Sequence, residues 1–355
     1  NAVADGSGVN LGALPTVPGT TPPNFGQAPE PSPEPSTNAL FTAAEAKVPA
    51  AAALSAPSEF DAILSPFIAR AFAVGIGQSD GGIGPMATVE APDGSILVSG
   101  GANRGTIWRF DARGGVAGTP LAELDVPVFN MAFDLEGRLW ATTGGGALLR
   151  LDPDTGAVIE RHGDGITIAI AVHPESGAIH VSTNAGISVF DPDDGSFTQW
   201  SRDENLRVGS LAFDGDGTLW AVTWPDRKQV VRFNDRARAE TMLTFDAPAD
   251  SIAFGRTGTR LEGLMFVSHT AGKVADTGLA AEGSELTMVD MATLRRIAVA
   301  TGGSRGDVVH ATNDGRLLIS QSGQVDVVAP ATVPAVVATN PPAGSNAVLP
   351  MPFLT

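Results

Sequence analysis

Residues Met131–Gly156 read MAFDLEGRLWATTGGGALLRLDPDTG, and how this stretch is parsed decides the fold. An apolar run, Met131–Phe133, leads into a turn that ends at Gly137. A second run starts at Leu139, and a third, ALLRLD, follows the glycines at 144–146. The short runs and the turns between them predict strands joined by hairpins, with glycine supplying the positive φ that such turns need. The phrase returns at Leu211 as LAFDGDGTLWAVTWPDRKQVVRFND. There Phe213, Gly217, Leu219, Trp220 and Ala221 repeat Phe133, Gly137, Leu139, Trp140 and Ala141. A weaker copy, IAVHPESGAIHVSTNAGISVFDPDDG, lies between them at Ile170–Gly195. Together they set a repeat of roughly 40 residues.

Working outward, the marker glycine recurs at Gly94, Gly137, Gly177, Gly217, Gly258 and Gly315. The last gap is longer, and the extra residues are placed at Ala271–Gly283. Each marker is followed by a second strand, then a third. The third usually ends in Asp111, Asp152, Asp191, Asn234 or Asp290, side chains that can accept from their own backbone and start a turn. Five units then show a fourth strand. Four strands per unit of this length predict an all-β, six-bladed β-propeller with four-stranded blades. The sixth unit lacks its fourth strand. Phe67–Gly75 (FIARAFAVG) is unassigned, so it is expected to close the ring as the outer strand beside Gln324–Val328.

The predicted organisation is an extended Pro-rich arm over 1–66, the propeller over 67–330, and an extended tail over 331–355. The arm holds eleven prolines, and Lys47 is its one base. Proline removes backbone donors, so the arm cannot build a sheet of its own and becomes ordered only by lying on another surface. Two short helices are expected in it. One is Thr42–Lys47, capped by Thr42 with Glu45 at the third position; the other is Ser58–Leu64, capped by Ser58.

The net charge of −17 argues against nucleic acid or an anionic membrane surface as partner. The absence of cysteine excludes disulfides, thiolate metal sites and a cysteine nucleophile. No apolar run is long enough to span a membrane. The chain begins at Asn1 without a leader-like pattern, read as a processed or truncated start, and an extracellular, cell-surface or periplasmic location is expected.

The repeated LAF-x-x-x-G-x-LW-A-x-T phrase resembles the propellers of the gluconolactonase/senescence-marker-protein, NHL and streptogramin-lyase groups. The tail, Val336–Thr339 followed by Asn340–Gly344 and Val348, resembles the opening of a bacterial immunoglobulin-like domain of large surface proteins. In lactonase-type relatives a divalent metal sits in the central channel. Counting eight residues back from each marker glycine gives one ring of inner-strand positions: Met86, Phe129, Ala169, Gly209, Asp250 and Asp307. The next ring is Ala87, Asn130, Ile170, Ser210, Ser251 and Val308. Asn130, Asp250 and Asp307 are therefore the candidate ligands for Ca²⁺ or Mg²⁺, an oxygen set suited to hard cations. The relatives also supply a glutamate from the first blade, where this chain has Met86 and Ala87, so no cofactor is the leading expectation.

Among the histidines, His173 and His180 align with Phe133 and Trp140 and read as packing residues. His269 borders the insertion, and His310 aligns with small Ala132. Trp224, in a loop beside Pro225, and His269 are the candidate binding residues. Arg109, Arg150 and Arg232 form a column expected to pair with acids of neighbouring blades. The leading functional expectation is a non-enzymatic exported scaffold whose arms, 1–66 and 331–355, dock on copies of itself or on other protein subunits. The arm-deleted chain is then expected to stay folded. The alternatives are a metal-dependent lactonase- or lyase-like enzyme and a binding module of a large adhesin that uses the loops around Trp224.

Overall fold

The structure is a computed structural model, and it describes residues 24–53, 55–79, 82–203, 205–269 and 283–331. Most of the predicted insertion and nearly all of the tail therefore lie outside the described residues. The described chain is an all-β propeller arrangement built from antiparallel sheets. One sheet runs Thr88–Glu90, Ile96–Gly100, Thr106–Phe110, Ala122–Glu123. Another runs Val208–Phe213, Leu219–Thr223, Gln229–Phe233, Ala239–Thr244. A third runs Ala249–Phe254, Leu264–His269, Ser284–Asp290, Arg296–Gly303, with Ala62–Ile63 of the arm added at its edge. Two of the repeats merge into one sheet because Val158–Val172 pairs first with Gly146–Leu151 and then with Ile179–Thr183. Divided within that strand, its members also fall into groups of four.

The last sheet begins with Val309–Ala311, Leu317–Ser320 and Gln324–Pro330. Its fourth strand is Phe67–Val74, antiparallel to Gln324–Pro330 from Phe67 opposite Pro330 to Val74 opposite Gln324. The segment expected to close the ring does so. This joins the two ends of the chain's repeat region through a backbone ladder and leaves no open edge at the seam.

Local chemistry explains the repeat. In FD-x-x-G-x-LW, Asp134 Oδ1 accepts from the backbone N–H groups of Glu136 and Arg138, and its Oδ2 accepts the Trp140 indole N–H at 2.8 Å. Asp214 does the same for Asp216, Thr218 and Trp220, again with 2.8 Å to the indole. One carboxylate thus shapes the hairpin and satisfies the buried tryptophan. The residues ending the third strands behave as expected: Asp111, Asp152, Asp191, Asn234 and Asp290 each accept from the N–H two residues on. Hydroxyls stitch neighbouring units together. Ser99 donates to Val128 O and Thr142 to Ile168 O, while Ser210 and Ser251 accept from Ile252 N and Val309 N of the next inner strand.

The arm differs from expectation in both helices. The helix is Ala39–Glu45, and its N-cap is Asn38, whose Oδ1 accepts from Leu40 and Phe41. Thr42 lies inside it and donates to Ser36 O. The start is set earlier because Leu40, Phe41 and Ala44 must share the face buried against the propeller. No helix forms at Ser58–Leu64. Tertiary pairing wins there: Ala62–Ile63 adds to Arg296–Gly303, and Ser58 and Glu59 both donate to Asp326. Several of the described arm residues lie on the chain's own sheets. Phe25 packs with Trp200 and Phe213, its carbonyl accepts from Thr241 N, and Ser32 N donates to Thr293 O. Phe41 and Phe60 join Phe67 and Phe266 in one core. The arm is thus part of the propeller's packing.

Candidate functional site at the channel mouth

The inner strands begin at one end of the central channel, and the first ring of side chains sits there. Cross-strand pairing places Met131, Leu211, Ile252, Val309 and Thr88 at equivalent positions. Ile170, opposite Val181, is the member of this set in its unit. The first ring is therefore Met86, Phe129, Ile168, Gly209, Asp250 and Asp307, and the second holds Ala169. Counting back from Gly177 misplaced this unit by one residue. The cause is its turn: Gly177 N donates to His173 O four residues back, whereas Gly137 N and Gly217 N donate three residues back.

The correction changes the character of the ring. Met86, Phe129 and Ile168 form an apolar cluster with Ile83. Trp224, in the loop after Leu219–Thr223, continues it. A Cβ added at Gly209 would stand 3.0 Å from Trp224 Cε3 and 3.7 Å from Ile168 Cδ1, so the indole lies over bare backbone beside Ile168. Trp224 Nε1 is buried and has no hydrogen-bond partner. An unsatisfied buried donor costs about 1–3 kcal/mol relative to a paired one, and such an atom calls for an explanation.

The other half of the ring is charged. Asp250 is ion-paired with Arg227, and Asp307 with Arg305. Arg227 also stacks 5.7 Å from the Trp224 ring centroid. Arg104 donates from Nε to Ser79 Oγ at 3.1 Å, and its carbonyl accepts from Val128 N, which fixes it beside Phe129. Burial, then the nearby Arg305, lowers the Arg104 pKa, with Asp307 opposing. Asp307 and Asp250 hold Arg305 above its ordinary value against the effect of burial. Among the described residues of this half, three guanidinium groups face two carboxylates. Arg104 and Arg227 both adopt left-handed backbone, φ 61° and 54°. Strained non-glycine residues concentrate where a side chain must be aimed.

The predicted ligands Asn130, Asp250 and Asp307 are all engaged within the chain. Each carboxylate already has a guanidinium partner, which repels a cation. Asn130 Oδ1 accepts from Met131 N at 2.9 Å. Among the described residues, no three His, Asp or Glu side chains are grouped to hold a metal. The donor set therefore does not fit the divalent ion that the resemblance implies.

His269 is buried against Phe245, with ring centroids 4.6 Å apart. Both ring nitrogens lack partners; the Ala247 and Pro248 carbonyls face the ring without hydrogen-bond geometry. Burial pushes its pKa down to about 4, which keeps it neutral. His173 packs on Phe213, and His180 packs between Trp200 and Phe213, as their alignment with Phe133 and Trp140 predicts. His310 lies further along the channel, where Nε2 accepts from Glu90 N at 3.3 Å. There a cavity of about 470 Å³ is lined by Thr88, Asn130, Ser210, Ser251, Arg256 and His310. In the arginine column, Arg150 and Arg232 pair with Glu160 and Glu240 of their own sheets, and Arg109 with Asp93 of its own turn and Asp154 of the next unit.

Sequence reasoning found Trp224, Asp250 and Asp307 but not the arginines. Arg227 and Arg305 stand three residues after Trp224 and two before Asp307, a proximity that was legible. Arg104 is far from both in sequence and gives no such signal.

Searches against known proteins agree with the fold. No protein-family profile matches the chain, and no curated protein matches its sequence. Among solved structures, a streptogramin B lyase is similar with a TM-score of 0.52 at 12% identity, covering 74% of this chain and 97% of the other. A candidate gluconolactonase is similar with a TM-score of 0.55 at 15% identity, covering 75% and 93%. At these identities the likeness is one of fold. The chain is a β-propeller similar in architecture to the lactonase- and lyase-type propellers that its repeat resembles.

Proposed function

We propose that this chain is a ligand-binding propeller that works at its channel mouth through Trp224, Phe129, Met86 and Arg104. The observation that carries the reading is the ring itself. An apolar wall topped by an indole whose N–H has no partner adjoins three guanidinium groups, of which Arg104 and Arg305 are buried. Apolar surface beside a few converging polar groups is the usual character of a small-molecule site.

A metal-centred lactonase- or lyase-like reaction at Asn130, Asp250 and Asp307 would need Arg227 and Arg305 to leave their carboxylates. Phe25, Phe41 and Phe60 of the arm pack on the chain's own sheets, so assembly through the arm has no specific observation in its favour.

Crystals soaked with a chemically mixed fragment set test the reading. Fragments are expected to collect at Trp224 and Phe129. Fragments that cluster only elsewhere would refute it. In parallel, millimolar Ca²⁺ or Mg²⁺ should leave the unfolding midpoint unchanged, and a clear upward shift would favour the metal-dependent alternative.

A further inference from the structure

Resting on that reading, we infer that the mouth selects small molecules with a carboxylate on an apolar, aromatic body. The charged half supplies one argument. Arg227 and Arg305 each pair with an aspartate, whereas the Arg104 side chain donates to the neutral Ser79 hydroxyl. Arg104 is only 5% exposed. A guanidinium that is buried and faces a second guanidinium gains most from an added anion, and its planar fork matches a carboxylate.

The apolar half supplies the second argument. Met86, Phe129 and Ile168 offer a wall without polar groups, and Trp224 lies across Gly209, where any side chain would displace it. The Trp224 N–H is a donor awaiting an acceptor. A ligand carboxylate would pair with the Arg104 guanidinium while the ligand's ring lies on Phe129, beside which Arg104 is fixed. The overall charge of the chain would not suggest this specificity, since the protein carries a net −17. Among the described residues the mouth carries a local positive excess, and local charge decides recognition in a low-dielectric pocket.

The test uses the full chain and a matched pair of probes: phenylacetate and its neutral isostere phenylacetamide. Binding is followed by calorimetry and by the difference in tryptophan fluorescence between the native chain and Trp224→Phe. Phenylacetate is expected to bind at least about tenfold more tightly than the amide, as a charge-assisted hydrogen bond implies. Chelation of metals should not alter this. Arg104→Gln should abolish the preference, Arg104→Lys should retain part of it, and Trp224→Phe should weaken both probes. Circular dichroism of each variant establishes that it is folded. Equal binding of the two probes, or a preference that survives Arg104→Gln, overturns the carboxylate assignment and leaves the binding reading intact. If neither probe binds at the mouth, the assignment is overturned, and the fragment experiment then decides whether the binding reading falls with it.

Discussion

Two regions of this molecule bury charge, and they use it differently. At the seam, Glu59 and Asp326 draw the arm onto the closing strand. Asp326 accepts from Ser58 Oγ, Glu59 N and Gln324 Nε2, while Glu59 accepts from Ser304 Oγ and Gly323 N. Both carboxylates are supplied with donors from within the chain. At the mouth, two ion pairs are complete, yet an indole N–H has no partner and buried Arg104 donates to a neutral hydroxyl, under the opposed influence of Arg305 and Asp307. Buried charge alone is therefore a poor sign of a site. What separates the regions is that the seam carboxylates take donors from within the chain, whereas the mouth sets an unpaired indole N–H beside an apolar wall. Seam residues should govern stability, and mouth residues should govern binding at little cost in stability.

The largest expected effect is at the seam. Phe41→Ala should lower the unfolding free energy by about 3–5 kcal/mol in urea titrations, because Phe41 is fully buried among Phe60, Phe67 and Phe266. A loss below 1 kcal/mol would show that the arm is merely laid on the surface.

The next effect is pH-dependent. Burial, helped by the neighbouring Glu59, raises the Asp326 pKa to about 6, despite the donors that lower it. An acid whose pKa is raised on folding binds its proton more tightly in the native state. Stability should thus fall as pH rises from about 4 to about 6, by up to about 3 kcal/mol. Asp326→Asn should flatten that slope in the pH dependence of urea unfolding. A slope unchanged by the substitution would assign it to other groups.

A smaller, paired effect compares two tryptophans. Trp140→Phe removes the donor to Asp134 Oδ2 and should cost about 1–3 kcal/mol. Trp224→Phe removes a donor with no acceptor, and the unfolding free energy should change by less than about 1 kcal/mol. Equal losses in the two variants would erase the distinction between seam and mouth.

The smallest effect is expected at Arg109, whose partner Asp93 is largely exposed. Arg109→Ala should change stability by less than about 1 kcal/mol, with the difference shrinking further in high salt.

Much of the fold could be read before any coordinates. The FD-x-x-G-x-LW phrase carries its own turn, its own indole acceptor and its own strand period, so short-range chemistry defines each hairpin. The same is true of the Asp and Asn residues that end the third strands. Misreadings arose where a distant partner outweighs local preference. Ser58–Leu64 has a helical cap pattern but lies in extended form because Arg296–Gly303 offers it a ladder and Asp326 offers it an acceptor. Thr42 looks like a cap, yet Asn38 takes that role once Phe41 must face the core. A one-residue difference in the His173–Gly177 turn moved Ile168 into the first ring, and with it the apolar wall of the mouth.

By itself, the sequence determined the repeating unit, the all-β class and the strand that closes the ring, because each depends on contacts between residues close in the chain or on one unassigned strand. Only the tertiary structure decided what the mouth is. Arg104, Arg305 and the loop that carries Trp224 and Arg227 come from three separate units, and ring closure alone brings them to one rim. Whether Asp250 and Asp307 would face a cation or a guanidinium depended on those neighbours, since the charge a carboxylate meets is set by what is close in space.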